Sequence, residues 1–283
     1  MTNRLAYLGP PGTFSQEAAF RYDSEAKQVP FPSIPAVASA VSSGMADEGV
    51  VPIENSLEGS VTYTLDLLIQ ETSLRIRHEL VLPIEHCLLA VEGTETSQVQ
   101  AVYSHPQALA QCRGFLERCF PRAQHIASLS TAAAVEDVKA SDVPAMAIAP
   151  RLAAELYGAQ IIARGIQDNP NNVTRFVILA HSDHPPTGCD KTSLCFSFAE
   201  VDRPGLLHAA LSGFAQRSIN LTKIESRPAK RALGQYIFLI DCEGHREDLL
   251  VKEAMEELGR MSSMLKVFGS YPRWSEPEGG QKP

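Results

Sequence analysis

Three short stretches place polar side chains where an apolar run turns into a helix, and each is suited to holding an anion. In Gly9-Pro10-Pro11-Gly12-Thr13-Phe14-Ser15-Gln16, Thr13 can cap the helix and Gln16 can reach back to close a capping box. Other first-turn N–H groups are then left pointing outward. Asn55-Ser56-Leu57-Glu58 repeats the pattern with Asn as the cap, and Ser104-His105-Pro106-Gln107 repeats it with Pro in the first turn. A purely structural capping role is the alternative reading for each. The first stretch matches neither G-x-x-x-x-G-K-[ST] nor G-x-G-x-x-G, so nucleotides are not indicated. The chain offers no Ser-His-Asp order and no G-x-S-x-G elbow. Its six cysteines (Cys87, Cys112, Cys119, Cys189, Cys195, Cys242) show no C-x-x-C pair and are read as core thiols. His181 and His184 could ligate a metal, but they adjoin Pro185-Pro186 and are read as solvated.

Alternating elements must position these turns. Strands are predicted at Leu5 to Leu8, Gly49 to Ile53, Leu80 to Val91, Val102 to Ser104, Ala145 to Ala149, Ile161 to Ala163 and Arg175 to Leu179. Helical spacing falls at Ala36 to Val41, Val61 to Gln70, Ala108 to Phe120, Ala132 to Lys139 and Arg151 to Tyr157. This is an α/β pattern, with ligand loops expected at the carboxyl ends of strands. After a Pro-, Gly- and Asp-containing stretch the order becomes strand (Ser193 to Ala199), helix (Leu206 to Arg217), strand (Asn220 to Ser226), strand (Gln235 to Asp241), helix (Glu247 to Met261), strand (Leu265 to Tyr271). That βαββαβ order is ferredoxin-like. The final residues, 274–283, are too polar to fold and are expected to be disordered.

With 283 residues the chain has room for about two domains. Its 44% hydrophobic and 20% charged residues read as soluble and globular. The net charge of −8 argues against a nucleic-acid partner. No apolar run approaches the roughly 20 residues of a membrane span, and Met1-Thr2-Asn3-Arg4 leads straight into a Gly/Pro turn rather than a signal core. A cytoplasmic location without membrane contact is therefore expected.

The motifs GPPGTFS (9–15), PIENSLEG (52–59), SHPQALAQC (104–112) and NVTRF (172–176), followed by INLTKIESRP (219–228), occur in an order and spacing that strongly resemble prephenate dehydratase fused to an ACT regulatory domain. The chain has no chorismate mutase-like segment in front, as in the monofunctional form. The resemblance implies a two-lobed, periplasmic-binding-protein-like catalytic region (residues 1–182) with its active site between the lobes. The lobes are taken as about 1–78 plus 173–181, and 79–170. A linker (183–191), the ACT domain (192–273) and the tail (274–283) complete the chain.

The family converts prephenate to phenylpyruvate, carbon dioxide and water without metal or cofactor. It binds L-phenylalanine as feedback inhibitor and assembles as homodimers or homotetramers through ACT domains. The reaction mainly needs an oriented substrate and help for one departing hydroxyl. By resemblance Thr174 gives that help by hydrogen bonding to the leaving oxygen. Glu54 and His105 are alternative proton donors. Arg175 is the candidate fork for the pyruvyl carboxylate, against a purely structural salt bridge. Phe176 faces the ring or fills the core. Thr13, Phe14, Ser15, Asn55, Ser56, Ser104 and Gln107 complete the expected substrate contacts. No Lys or Arg occurs between Lys27 and Arg75, so neutral donors are expected to hold the departing carboxylate on the PIENS side.

In the second module the implied effector residues are Gly205, Leu206, Leu207, Asn220, Leu221, Glu225, Ser226, Arg227 and Pro228. Gly-Leu-Leu stands where the family usually has Gly-Ala-Leu. Arogenate dehydratase is an alternative activity, a non-catalytic amino-acid sensor an alternative class, and a mere dimerisation surface an alternative role for the ACT-like module.

Overall fold

The structure, a computed structural model, describes residues 2–198, 204–230 and 235–275. Its first stretch contains β1 (Arg4–Leu8), α1 (Phe14–Tyr22), β2 (Lys27–Phe31), α2 (Ile34–Ser42), β3 (Glu48–Asn55), β4 (Gly59–Ser60), α3 (Thr62–Asp66), a π-helical turn (Leu67–Glu71) and β5 (Arg75–Pro83). Next come β6 (Cys87–Ala90), β7 (Ala101–Ser104), α4 (Pro106–Gln111), α5 (Arg113–Cys119), β8 (Gln124–Ala127), α6 (Ala133–Lys139), β9 (Ala145–Ala149), α7 (Arg151–Tyr157), β10 (Gln160–Ala163) and β11 (Val173–Ala180).

One sheet runs β2-β1-β3-β11-β5 with β4 on β3, and a second runs β10-β6-β9-β7-β8. In the first, Leu5, Ala6 and Tyr7 of β1 and Val50 and Val51 of β3 are buried. Helix α2 starts at Ser33, whose hydroxyl accepts from the Ala36 N–H, and buries Ile34, Val37, Ala38 and Val41 at helical spacing. Val37 and Val41 lie so close to Gly49 that an added Cβ would meet them at 2.8 and 3.0 Å. In the second sheet all five residues of β9 are buried, and the run is apolar without alternation.

The third part holds β12 (Asp190–Ser197), α8 (Leu206–Ala215), β13 (Leu221–Pro228), β14 (Tyr236–Glu243), α9 (Leu249–Met261) and β15 (Met264–Pro272). Its sheet runs β13-β14-β12-β15, all antiparallel. Leu194, Phe196, Phe214, Ile240, Val251 and Leu258 form its core with both helices. The expected βαββαβ module is present in ferredoxin-like strand order.

Several local expectations are corrected. The predicted strand 80–91 is two strands in different sheets, and the chain passes from one sheet to the other at Ile84–His86. The predicted helix 108–120 breaks at Cys112, which has φ −111° and ψ 15°. The helix predicted from 61 gives way to the π-turn after five residues. Strands β2 and β8 escaped the sequence reading because both are short edge strands without alternation, β2 carrying Pro30. Of the cysteines, Cys119 and Cys189 are exposed, whereas the other four are buried.

The segment read as a linker is tied down. The Asp183 carboxylate accepts from Arg246 and from the Ser270 N–H, and the Asp190 carboxylate accepts from the N–H groups of Thr187 and Gly188. His184 is half-buried and lies edge-on to His78, so it is not solvated. The predicted disordered tail lies, from residue 276, outside the described residues.

Contacts divide the chain into two compact units: residues up to Thr64 with Leu80–Phe176, and Leu65–Glu79 with residues from Val177 onward. The three crossings occur inside elements, in α3, β5 and β11. The second unit therefore includes more than the C-terminal module. Lys191 Nζ lies 2.7 and 2.9 Å from the two Glu79 oxygens, and this pair is almost fully buried. The Trp274 N–H also donates to Glu79, Arg75 donates to the Val267 carbonyl, and Lys266 donates to the carbonyls of Ile69 and Thr72. Gly269 is fixed by close approach, because a Cβ there would overlap the backbone of Ile76.

Gly269→Ala should therefore destabilise the protein by about 2–3 kcal/mol in urea unfolding, as overpacking against backbone does. An unchanged midpoint would show that this approach is looser than described.

Candidate active site

The first unit gathers a set of polar side chains where β3, β11 and the two crossovers between its sheets meet. Asn55 closes β3. Its Oδ1 accepts from the N–H groups of Leu57 (3.0 Å) and Glu58 (3.1 Å), which makes an Asx turn into β4. No helix starts there, contrary to the sequence reading; the cap serves a hairpin.

Two backbone donors on Oδ1 settle the orientation of the amide. Nδ2 must face Thr174 Oγ1 at 2.9 Å and Asn172 Oδ1 at 2.8 Å, with the Val173 carbonyl at 3.1 Å. Thr174 thus receives a hydrogen bond and keeps its own proton. Among the described residues it donates to no protein group. It is 9% exposed.

The order continues outward. Asn172 Nδ2 donates to Gln111 Oε1 at 3.0 Å, and the same oxygen lies 3.0 Å from His86 Nε2. Gln111 Nε2 lies 3.4 Å from Glu58 Oε1. The Ile84 N–H donates to the Asn172 carbonyl at 2.8 Å, which ties the two crossovers together. Burial holds the His86 imidazole below its usual pKa, partly offset by the Gln111 contact.

Gln111, Asn172 and His86 were not picked out from the sequence. Gln111 follows Gln107 by one helical turn within the SHPQALAQC motif, a signal that spacing could have given. Asn172 opens the NVTRF motif but carried no role there, and nothing local marks His86; both take their places from the meeting of two distant crossovers.

The other expected residues take varied places. Thr13 caps α1 and accepts from the Gln16 N–H at 3.4 Å, while Gln16 Oε1 accepts from Gly12 N at 2.6 Å, one residue further back than a capping box requires. Gly12 has φ +85°, and an added Cβ would lie 3.1–3.3 Å from Ala153 and Tyr157 of α7. The Tyr157 hydroxyl donates to the Pro11 carbonyl. The loop is therefore braced against α7. Phe14 stands edge-on to His86 with centroids 5.6 Å apart, and Ser15 is buried in α1.

Ser104 is fully buried and donates to the Ile148 carbonyl at 2.6 Å; the cap of α4 is His105, which accepts from the Gln107 N–H at 3.3 Å. Burial also lowers the His105 pKa. Ser56 is engaged by β11, donating to the Asn171 carbonyl and accepting from the Val173 N–H.

Successive strand residues point to opposite faces. Thr174 accordingly meets Asn55, while Arg175 meets Glu54 at 3.0 Å on the other side. The structural salt bridge foreseen as the alternative for Arg175 is present. The PIENS stretch lacks cations in sequence but acquires one in space. Phe176 is buried in the core.

In the C-terminal module Gly205 has φ +86° at the start of α8, with open space where a Cβ would project. Leu207 and Leu221 pack against the module's core, and the Asn220 carbonyl accepts from the Glu243 N–H. On edge strand β13, Glu225 pairs with Lys223, Ser226 and Pro228 are exposed, and Arg227 pairs with Asp66 at 2.8 Å. Arg227 thus faces α3 within its unit.

The family model for prephenate dehydratase matches residues 5–184, and that for the ACT domain matches residues 196–260. The chain is 45% identical over 272 residues to a bifunctional chorismate mutase/prephenate dehydratase of Aquifex aeolicus, an alignment covering 95% of this chain and 74% of the relative. It is 41% identical over 283 residues to a prephenate dehydratase of Mycobacterium sp. (strain JLS), covering 95% and 89%. A solved prephenate dehydratase of Arthrobacter aurescens, in complex with L-Phe, matches with a TM-score of 0.86 at 38% identity, covering 95% of this chain and 90% of that one. With its motifs, its fold and these likenesses in agreement, the chain belongs to the prephenate dehydratase family and carries a C-terminal ACT domain.

Proposed function

We propose that this protein converts prephenate to phenylpyruvate, carbon dioxide and water in L-phenylalanine biosynthesis, under feedback control by L-phenylalanine. The observation that carries this reading is the Thr174 hydroxyl, held as an acceptor by Asn55 with its own proton free. In the elimination the bond from the ring to its carboxylate breaks and the electron pair enters the ring. The bond from C4 to its hydroxyl oxygen then breaks, and aromatisation drives both events. One proton is taken up so that the oxygen leaves as water. A threonine hydroxyl is too weak an acid to be ionised near neutral pH. Its part is to donate a hydrogen bond to the oxygen as charge develops, with the proton relayed through water.

Arg175 supplies the cation for the pyruvyl carboxylate, exchanging part of its contact with Glu54 for the substrate. Thr13, Phe14, Ser15, Ser104, His105 and Gln107 line or support the same substrate region, with Asn55 and Gln111 nearest the reacting hydroxyl. Residues 1–182 form the catalytic region and 192–273 the regulatory one. L-Phenylalanine binds at the Gly205 loop and the ESRP stretch, where two modules of a homodimer or homotetramer meet. The protein works in the cytoplasm; no described helix is long and apolar enough to cross a membrane.

The direct test is phenylpyruvate formation from prephenate by the purified protein with no metal or cofactor added. Rapid formation is expected; product at only the spontaneous rate, with turnover of arogenate instead, would reassign the substrate. Thr174→Ala should lower kcat by about 10²–10³ with little change in KM, as removal of one transition-state donor does. Asn55→Asp should cost about as much, because a carboxylate oxygen facing Thr174 would accept the hydrogen bond that the hydroxyl must give to the departing oxygen. Normal turnover in either variant would displace Thr174 as the donor. L-Phenylalanine should inhibit, and Gly205→Val or Ser226→Ala should raise the half-inhibiting concentration at least several-fold; inhibition unaltered in both would rule out this effector site.

A further inference from the structure

The end of the amide chain holds a residue that neither the motifs nor the reaction chemistry assigns. His86 lies in the Ile84–His86 crossover and is 3% exposed. Its N–H donates to Gln167 Oε1, its carbonyl accepts from the Ile166 N–H, and its ring stands against Phe14 of the GPPGTFS stretch. Nε2 lies 3.0 Å from Gln111 Oε1, and Nδ1 is buried with no hydrogen-bond partner among the described residues.

The tautomer follows from groups some distance away. The N–H groups of Leu57 and Glu58 make Asn55 Oδ1 the acceptor, so Nδ2 donates to Asn172 Oδ1. Asn172 Nδ2 then donates to Gln111 Oε1, and that oxygen requires a second donor from His86. His86 Nε2 must therefore carry a proton, and because Nδ1 is buried and meets no acceptor among the described residues the imidazole is neutral.

Without that donor, Gln111 Oε1 keeps only Asn172 and its Nε2 only the long 3.4 Å contact with Glu58, so a flip of its amide is opposed less strongly. A flipped Gln111 presents an N–H₂ to the N–H₂ of Asn172, and relief by turning Asn172 sets the same conflict against Asn55. Each flip withdraws a partner from the group that orients the Thr174 hydroxyl.

We infer that His86 is a positioning residue for the elimination: through Gln111 it holds Asn172 in the arrangement that accepts from the Asn55 carboxamide, and so steadies the amide, oriented by its own turn, that keeps the Thr174 proton available. This inference rests on the prephenate dehydratase reading for its kinetic consequence. The unpaired Nδ1 fits the role, because an imidazolium there would bury an N–H with nothing to accept it.

The test combines kinetics with a readout that does not need activity. His86→Phe keeps a ring against Phe14 but has no donor; kcat should fall about 10–50-fold while KM stays within about threefold. His86→Gln, which can offer an amide N–H, should recover most of that loss. In a Thr174→Ala background His86→Phe should cost less than about twofold further, because its effect runs through the hydroxyl already removed. A wild-type kcat in His86→Phe, or full additivity with Thr174→Ala, would overturn the inference. Independently, the imidazole ¹⁵N–¹H correlation spectrum of the whole protein at pH 7 should show His86 protonated at Nε2 and bare at Nδ1. The opposite tautomer would overturn the inference even in an active enzyme. That spectrum also decides the lock if prephenate proves not to be the substrate, so the two failures are distinguishable.

Discussion

The site depends on two backbone N–H groups, those of Leu57 and Glu58, that converge on one oxygen of Asn55. Turn donors of this kind cannot rotate away, whereas a side-chain amide alone would choose between two nearly equal orientations. Once Asn55 is fixed, direction passes through Asn172 and Gln111 to His86, and separately to Thr174. A buried network in which every member has one arrangement is stiff, because each alternative leaves a donor facing a donor. The Asx turn is thus both the end of a strand and the fixed point from which the amide chain takes its direction. Preorganisation of this sort suits a reaction in which the substrate supplies most of the driving force and the protein must mainly hold a weak donor in place.

Charge is arranged on the other face of the same strands. Arg175 and Glu54 neighbour Thr174 and Asn55 in sequence, yet the strand repeat turns them away from the amide chain. Keeping the full charges there spares the hydroxyl a nearby carboxylate that would compete for its proton. Under the proposed function it would also let a chain of net charge −8 receive an anion, since a guanidinium at contact range matters more than distant charges screened by salt.

Much of this was legible in the sequence because several motifs each carry a local rule. Thr13 caps its helix as its type and position suggested, and the βαββαβ order followed from periodicity alone. Asn55 was recognised as a cap, but sequence could not distinguish a helix start from a hairpin, since the same side chain satisfies the first N–H groups of either. Ser104 was misread for a related reason: its hydroxyl found the carbonyl of Ile148, 44 positions away, before it could serve the adjacent helix. Gln111, Asn172 and His86 acquire meaning only where residues about 25 to 117 positions apart meet, and no local pattern encodes that meeting. The single strand expected over Leu80 to Val91 is two strands in different sheets, and the break falls at Pro83, Glu85 and His86, the only interruption in an otherwise apolar run.

The fastening of β5 to the C-terminal sheet bears on how such chains can be recombined. A cut between the two family segments, anywhere from residue 185 to 190, looks natural on sequence grounds. It would nevertheless separate Lys191 and Gly269 from the Glu79 and Ile76 that they were selected to fit, because those partners lie more than a hundred residues upstream. A regulatory module taken from a relative would arrive with half of its seat missing. Exchange of control modules in this architecture therefore requires that the stretch Leu65–Glu79 travel with the module, so inheritance of regulation is interleaved with inheritance of catalysis.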